Sequence, residues 1–163
     1  DPGTIGPCGY RPKTRRVFVR EVGVSVLPLF VDSSAFYALA DQHDASHRLA
    51  MRRWEAVVKA KRSLVTSLAV AAETATLIRR WIGFDAAQVW LDQLDRARLV
   101  GAVDLVFLAE REYALARDLY RQLAQPKLSF VDALSFSVMT LRGITTCFGF
   151  DEDFQIAGFA LYE

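Results

Sequence analysis

From Leu29 onward, short apolar runs alternate with longer stretches in which apolar positions recur at helical spacing. Leu29–Asp32 reads as a short buried strand, and Ser33–Ala40 as a first helix. Asp44 is placed to cap a second helix running to about Lys61, with Ala50, Trp54 and Val57 on its apolar face. Leu64–Thr66 predicts a second strand, and Ser67 caps a third helix to about Trp81. Asp85 with Gln88 forms a capping-box start for a fourth helix to about Arg98. Leu99–Val103 predicts a third strand, with Asp104 capping a long helix to about Leu123. Ser129 with Asp132 opens another helix, which Gly143 stops. Ile144–Phe148 completes a fourth strand, and Gly158–Leu161 suggests a fifth.

Apolar strands alternating with helices predict an α/β fold: a three-layer α/β/α sandwich around a central parallel sheet of four or five strands. At 163 residues, with 52% hydrophobic and 24% charged residues, the chain suits one globular domain and not a disordered one. Net charge is +1, but unevenly spread. Residues 1–27 carry a net +3 and are rich in Gly and Pro, whereas residues 28–163 carry −2. The division expected is a basic N-terminal extension over 1–27, disordered or outside the fold, and a folded domain over 28–163. Val17–Val26 alternate weakly, as a further strand would. No apolar run approaches the roughly 18–20 residues of a membrane span. Cys8 and Cys147 make no disulfide framework, so free thiols and a cytoplasmic location are expected.

Carboxylates change the picture most. Asp32 follows Leu29-Phe30-Val31, Asp132 follows Leu128-Ser129-Phe130-Val131, and Asp151 follows Cys147-Phe148-Gly149-Phe150, with Asp153 two residues on. Glu73, with Val70 before it and Leu77 after it, falls on the apolar stripe of its helix. Each has an ordinary structural explanation. Asp32 can cap the first helix, although Ser33 or Ser34 can do so instead; Asp132 fits a capping box; Asp151 and Asp153 can form an acidic turn. Charged groups in apolar surroundings need a partner, however, and several at one edge of a sheet favour a shared divalent cation with oxygen ligands. In open α/β sheets, such sites form beyond the carboxyl ends of the strands.

Four segments carry a resemblance: Phe30-Val31-Asp32-Ser33-Ser34-Ala35-Phe36; Thr66-Ser67 leading to Glu73; Leu128-Ser129-Phe130-Val131-Asp132-Ala133-Leu134-Ser135; and Phe150-Asp151-Glu152-Asp153-Phe154. In order and rough spacing they resemble the PIN-domain ribonucleases, and more closely the VapC-type toxins of bacterial toxin–antitoxin pairs. The resemblance implies that Asp32, Glu73, Asp132 and Asp151 form a catalytic acidic quartet. It implies Asp153 as a fifth carboxylate and Ser34 as a hydroxyl that helps to hold the first Asp. The family's frequent Thr two residues before the fourth acid is Gly149 here. Implied too are one or two Mg²⁺ or Mn²⁺ ions, held first by Asp32 and Asp132 and completed by Asp151, with Asp153 or Glu73 acting directly or through water. The implied activity is endoribonuclease cleavage of structured tRNA or rRNA loops, leaving a 5′-phosphate and a 3′-hydroxyl. Implied partners are a cognate antitoxin, laid into an apolar groove near Phe36, Tyr37 and Trp54, and a second copy in a homodimer. Arg79 and Arg80, and Arg48, Arg52 and Arg53, are candidates for RNA phosphates.

Other chemistries fit less well. His43 and His47 stand four apart but lack a third zinc ligand. No Gly-rich phosphate loop or dinucleotide fingerprint occurs. The alternative from another class is a non-catalytic PIN-like module that binds RNA or a partner.

Overall fold

The computed structural model describes residues 27–163. The expectations for the basic extension and for a strand over Val17–Val26 lie outside the described residues, Leu27 excepted. In chain order, β1 (Leu29–Val31) leads into α1 (Ser33–Ala40) and α2 (His47–Lys59). Next come β2 (Leu64–Ser67), α3 (Leu68–Trp81), α4 (Phe84–Leu99) and β3 (Val103–Val106). After α5 (Glu110–Leu123) and α6 (Phe130–Arg142), the chain ends with β4 (Thr146–Phe148), the short α7 (Asp153–Ile156) and β5 (Ala160–Leu161).

All strand pairs are parallel, in the order β3-β2-β1-β4-β5. The chain therefore builds outward from β1 through β2 to β3, then crosses back to add β4 and β5 on the other side. Strand order reverses between β1 and β4, where Val31 is level with Phe148. Loops leaving adjacent strands diverge at such a point and open a crevice. The central strands are buried on both faces, which is why β1 reads as an unbroken apolar run. Phe30, Phe136, Phe148 and Phe154 are fully buried and join sheet and helices in one apolar core. Among the described residues, no helix is long and apolar enough to cross a membrane.

Several local expectations are corrected. The third strand is Val103–Val106, not Leu99–Val103. Leu99 ends α4, Val100 is exposed, and Gly101 takes the positive φ of 73° that turns the chain. Asp104 accordingly lies within β3 and pairs with Arg142; it caps nothing. The helix after it starts at Glu110, where the Glu112 carboxylate accepts the Ala109 N–H. Asp44 accepts the Ser46 N–H in a turn, and α2 begins only at His47. Asp85 sits within the first turn of α4, whose N-cap position is Gly83. Ser67 and the Ser129–Asp132 capping box act as expected, and Gly143 ends α6 at φ 65°.

Candidate active site

The crevice is built from helix starts. Asp32 leaves the carboxyl end of β1, its N–H bonded to the Phe148 carbonyl of β4 at 3.0 Å. Its Oδ2 accepts the Ser34 N–H at 3.0 Å and the Ser34 hydroxyl at 2.6 Å, so Asp32 does cap α1. Of the three candidates for that cap, Asp32 fills it, and neither Ser33 nor Ser34 does. Only one oxygen is used, however. Oδ1 is buried and has no hydrogen-bond partner. Burial pushes the Asp32 pKa up, the Ser34 bonds oppose this, and the Glu73 charge adds to the rise.

Both serines after Asp32 hydrogen-bond groups that line the cavity. The Ser34 Oγ also accepts the Phe150 N–H at 3.0 Å, tying the loop after β4 to α1. Ser33 donates to Glu73 Oε2 at 2.6 Å and so fixes that half-buried carboxylate on α3. Sequence reasoning missed Ser33, because its partner lies 40 residues away in the chain. Leu77 lines the same cavity as Glu73, as their shared helix stripe predicted.

Asp132 repeats the economy of Asp32. In the capping box of α6, its Oδ2 accepts the Ser129 N–H at 2.8 Å while the Ser129 hydroxyl accepts the Asp132 N–H at 3.1 Å. Capping takes one oxygen of Asp132 and leaves the other outside the box, because a carboxylate has two oxygens. Burial raises the Asp132 pKa to about 6, against the Ser129 bonds and with help from the charges of Asp32 and Asp151. Asp151 Oδ1 accepts the Asp153 N–H at 2.9 Å, which folds the acidic turn. Asp153 is also pushed up, by burial and then by Asp151, with Lys127 pulling the other way.

A cavity of about 340 Å³ brings Asp32, Ser34, Glu73, Asp132 and Asp151 together. Tyr37, Asp44 and Ser46 also line it, none of which the sequence marked for this site. Asp132, Asp151 and Asp153 each present one oxygen, all within 4.8 Å of one another. Asp32 lies outside that tightest trio, although expected as a first ligand alongside Asp132. Clustered acids, all-oxygen donors and a buried unpaired Asp32 oxygen together suit a hard divalent cation. Among the described residues this is the one group of three potential ligands so arranged. The histidines stand apart from it: His47 Nδ1 bonds the Ala38 carbonyl at 2.7 Å, and His43 is exposed beside Asp41.

Gly149 has a physical reason to replace Thr. A Cβ there would lie 3.1 Å from the Asp32 Cβ and 3.3 Å from both Cys147 Sγ and Ser34 Oγ. Of the arginines, Arg53 is half-buried with its guanidinium 5.4 Å from the Phe150 ring, which also lines the cavity. Arg48, Arg52, Arg79 and Arg80 are exposed. Phe36 and Trp54 line a separate apolar cavity of about 460 Å³ with Met51 and Trp90, whereas Tyr37 faces the acidic one.

Strand order, crevice and acids are accounted for by one family. The PIN domain family model matches residues 29–160, and the chain belongs to that family. Within it, the chain is similar to the 23S rRNA-specific endonuclease VapC20 of Mycobacterium tuberculosis, with 35% identity over 138 residues, covering 80% of this chain and 95% of that one. The crystal structure of VapC20, a sarcin–ricin-loop-cleaving toxin, aligns with a TM-score of 0.71 at 34% identity, covering 81% of this chain and 96% of that one. VapBC2 of Rickettsia felis bound to a promoter DNA fragment shares the fold at TM-score 0.58 and 15% identity, covering 83% and 97%. FitAcB of Neisseria gonorrhoeae does so at TM-score 0.56 and 14% identity, covering 83% and 96%.

Proposed function

We propose that the chain is a divalent-metal-dependent endoribonuclease, the toxin of a type II toxin–antitoxin pair, that cuts a structured ribosomal RNA loop. The reading rests above all on Asp32, Asp132 and Asp151 lining one cavity while Asp32 keeps a buried oxygen without a partner. Similarity to VapC20 supports rRNA over tRNA as the substrate class. Single-stranded loops suit protein readout because their bases are unstacked.

Asp132, Asp151 and Asp153 would hold Mg²⁺ or Mn²⁺, with Asp32 completing the shell. The bound ion supplies charge neutralisation on the phosphate, a lowered pKa for a water and stabilisation of the leaving oxygen. Ser34 and the first turn of α1 orient Asp32, and the Ser129 capping box orients Asp132. Ser33 holds Glu73 by Oε2 and leaves Oε1 to accept a proton from the attacking water. In the reaction, the water oxygen bonds to phosphorus as its proton passes to Glu73, the P–O3′ bond breaks, and the departing 3′ oxygen takes up a proton from solvent water. The products carry a 5′-phosphate and a 3′-hydroxyl.

The apolar cavity lined by Phe36, Met51, Trp54 and Trp90 is the proposed seat of an antitoxin segment. A second copy is proposed for the exposed aromatic cluster in which Tyr113 and Tyr120 meet Phe130 edge-on. The extension over 1–27 is taken as separate from the nuclease domain, and the site of action as the cytoplasm, where ribosomes are. The decisive assay is Mg²⁺-dependent RNA cleavage by the purified chain and by Asp32→Asn, with 5′-phosphate ends mapped. Cleavage abolished by EDTA and by the substitution is expected. Cleavage indifferent to metal rejects the mechanism; full activity in Asp32→Asn rejects that residue's role. A binding module without catalysis would show no cleavage at all.

A further inference from the structure

Helix α3 carries the cavity's wall outward. Glu73 and Leu77 line the acidic cavity, and Arg80 follows on the same helix face, about 10 Å along the axis from Glu73. Beyond it the chain turns at Gly83, whose φ of 145° favours glycine, and α4 begins at Phe84. The corner exposes Trp81 to 64% and Phe84 to 55% of their surfaces. Each ring has a guanidinium over it: Arg80 lies 5.1 Å from the Trp81 centroid and Arg79 4.6 Å from that of Phe84. Neither arginine has an acidic partner within ion-pair distance among the described residues.

Basic residues in the last turn of a helix suit its dipole, which explains the charges but not two exposed rings beside them. Exposed aromatics interleaved with unpaired arginines match what single-stranded nucleic acid requires: π-faces for unstacked bases and cations for the phosphates between them. We propose that the α3–α4 corner is a base-stacking platform, on which Trp81 and Phe84 hold unpaired bases of the RNA whose backbone runs over Arg80 into the acidic cavity. The proposal rests on the nuclease reading and adds to it the residues that select single-stranded RNA. Trp81 and Phe84 are positioning residues, remote from the bond that breaks.

The test measures cleavage of an rRNA-loop oligonucleotide with Mg²⁺ by wild type, Trp81→Ala, Trp81→Phe and Phe84→Ala. It also measures binding of a single-stranded RNA and of its duplex by the same chains in EDTA, and sedimentation of each. Trp81→Ala is expected to raise KM and the single-strand Kd about tenfold, the loss of one stacked base. The kcat should hold within about twofold, duplex binding and sedimentation should not change, and Trp81→Phe should restore most of the affinity. Equal KM and Kd in wild type and both alanine variants overturns the platform while leaving the nuclease intact. A change in sedimentation with unaltered RNA affinity overturns it in favour of a contact between copies. Wild type that binds single strands without cutting them removes the nuclease reading alone; wild type that does neither removes both.

Discussion

Replacing Asp132 by Asn should stabilise the metal-free protein at neutral pH. The substitution keeps the capping bond, because an amide oxygen can accept the Ser129 N–H as Asp132 Oδ2 does. What it removes is a buried charge. The pKa of Asp132 rises from 3.8 unfolded to about 6 folded, so the folded state holds the proton more tightly. Above pH 6 both states are ionised, and the charge costs the fold about 3 kcal/mol at 1.36 kcal/mol per pKa unit. Solvent at the cavity mouth screens part of this, leaving about 2 kcal/mol. Stability of the wild type therefore falls as pH rises from about 4 to 6, and the variant should lack that decline. In EDTA at pH 7.5, Asp132→Asn should melt about 4–8 °C higher, and at pH 4.5 most of the difference should vanish. Urea unfolding at both pH values gives the free energies directly. A variant no more stable than wild type at pH 7.5, or a gap that persists at pH 4.5, refutes the reasoning.

Other consequences follow from the same geometry. Gly149→Thr should lose about 1–3 kcal/mol and most activity, since its Cβ would press on the Asp32 Cβ; unchanged melting would show that α1 yields easily. Ser34→Ala leaves the Phe150 N–H without its acceptor and Asp32 Oδ2 without one donor, at a cost of about 1–3 kcal/mol by denaturant unfolding. Met51→Asp places a charge in the apolar cavity at a partly exposed position. It should weaken antitoxin binding at least tenfold, about 1.4 kcal/mol, by calorimetry while the free chain still cuts RNA.

Much of this was legible in the chain because the central strands and the site obey local rules. Strands buried on both faces give unbroken apolar runs, and the acids that end them stand out. The edge strand β3 does not: it pairs only with β2, its Asp104 is exposed, and the apolar run Leu99–Val100 before it belongs to a helix end and a turn. Hence the hydrophobic pattern points to a strand four residues early and makes Asp104 look like a cap. At the site, periodicity put Glu73 on the buried stripe, but nothing local could reveal that Ser33 reaches it. From sequence alone, capping and function compete for Asp32 and Asp132. In the structure the cap takes one oxygen of each carboxylate, and the second oxygen of Asp32 is buried without a partner.

The central claim is that acids distant in sequence share one cation. Anomalous diffraction from crystals grown with Mn²⁺ tests it most directly. We expect a peak bonded to Asp132 and Asp151, within reach of Asp153 and of the unpartnered Asp32 Oδ1, that disappears in Asp132→Asn. No peak in that cavity at saturating Mn²⁺, or one held by other residues, would contradict it.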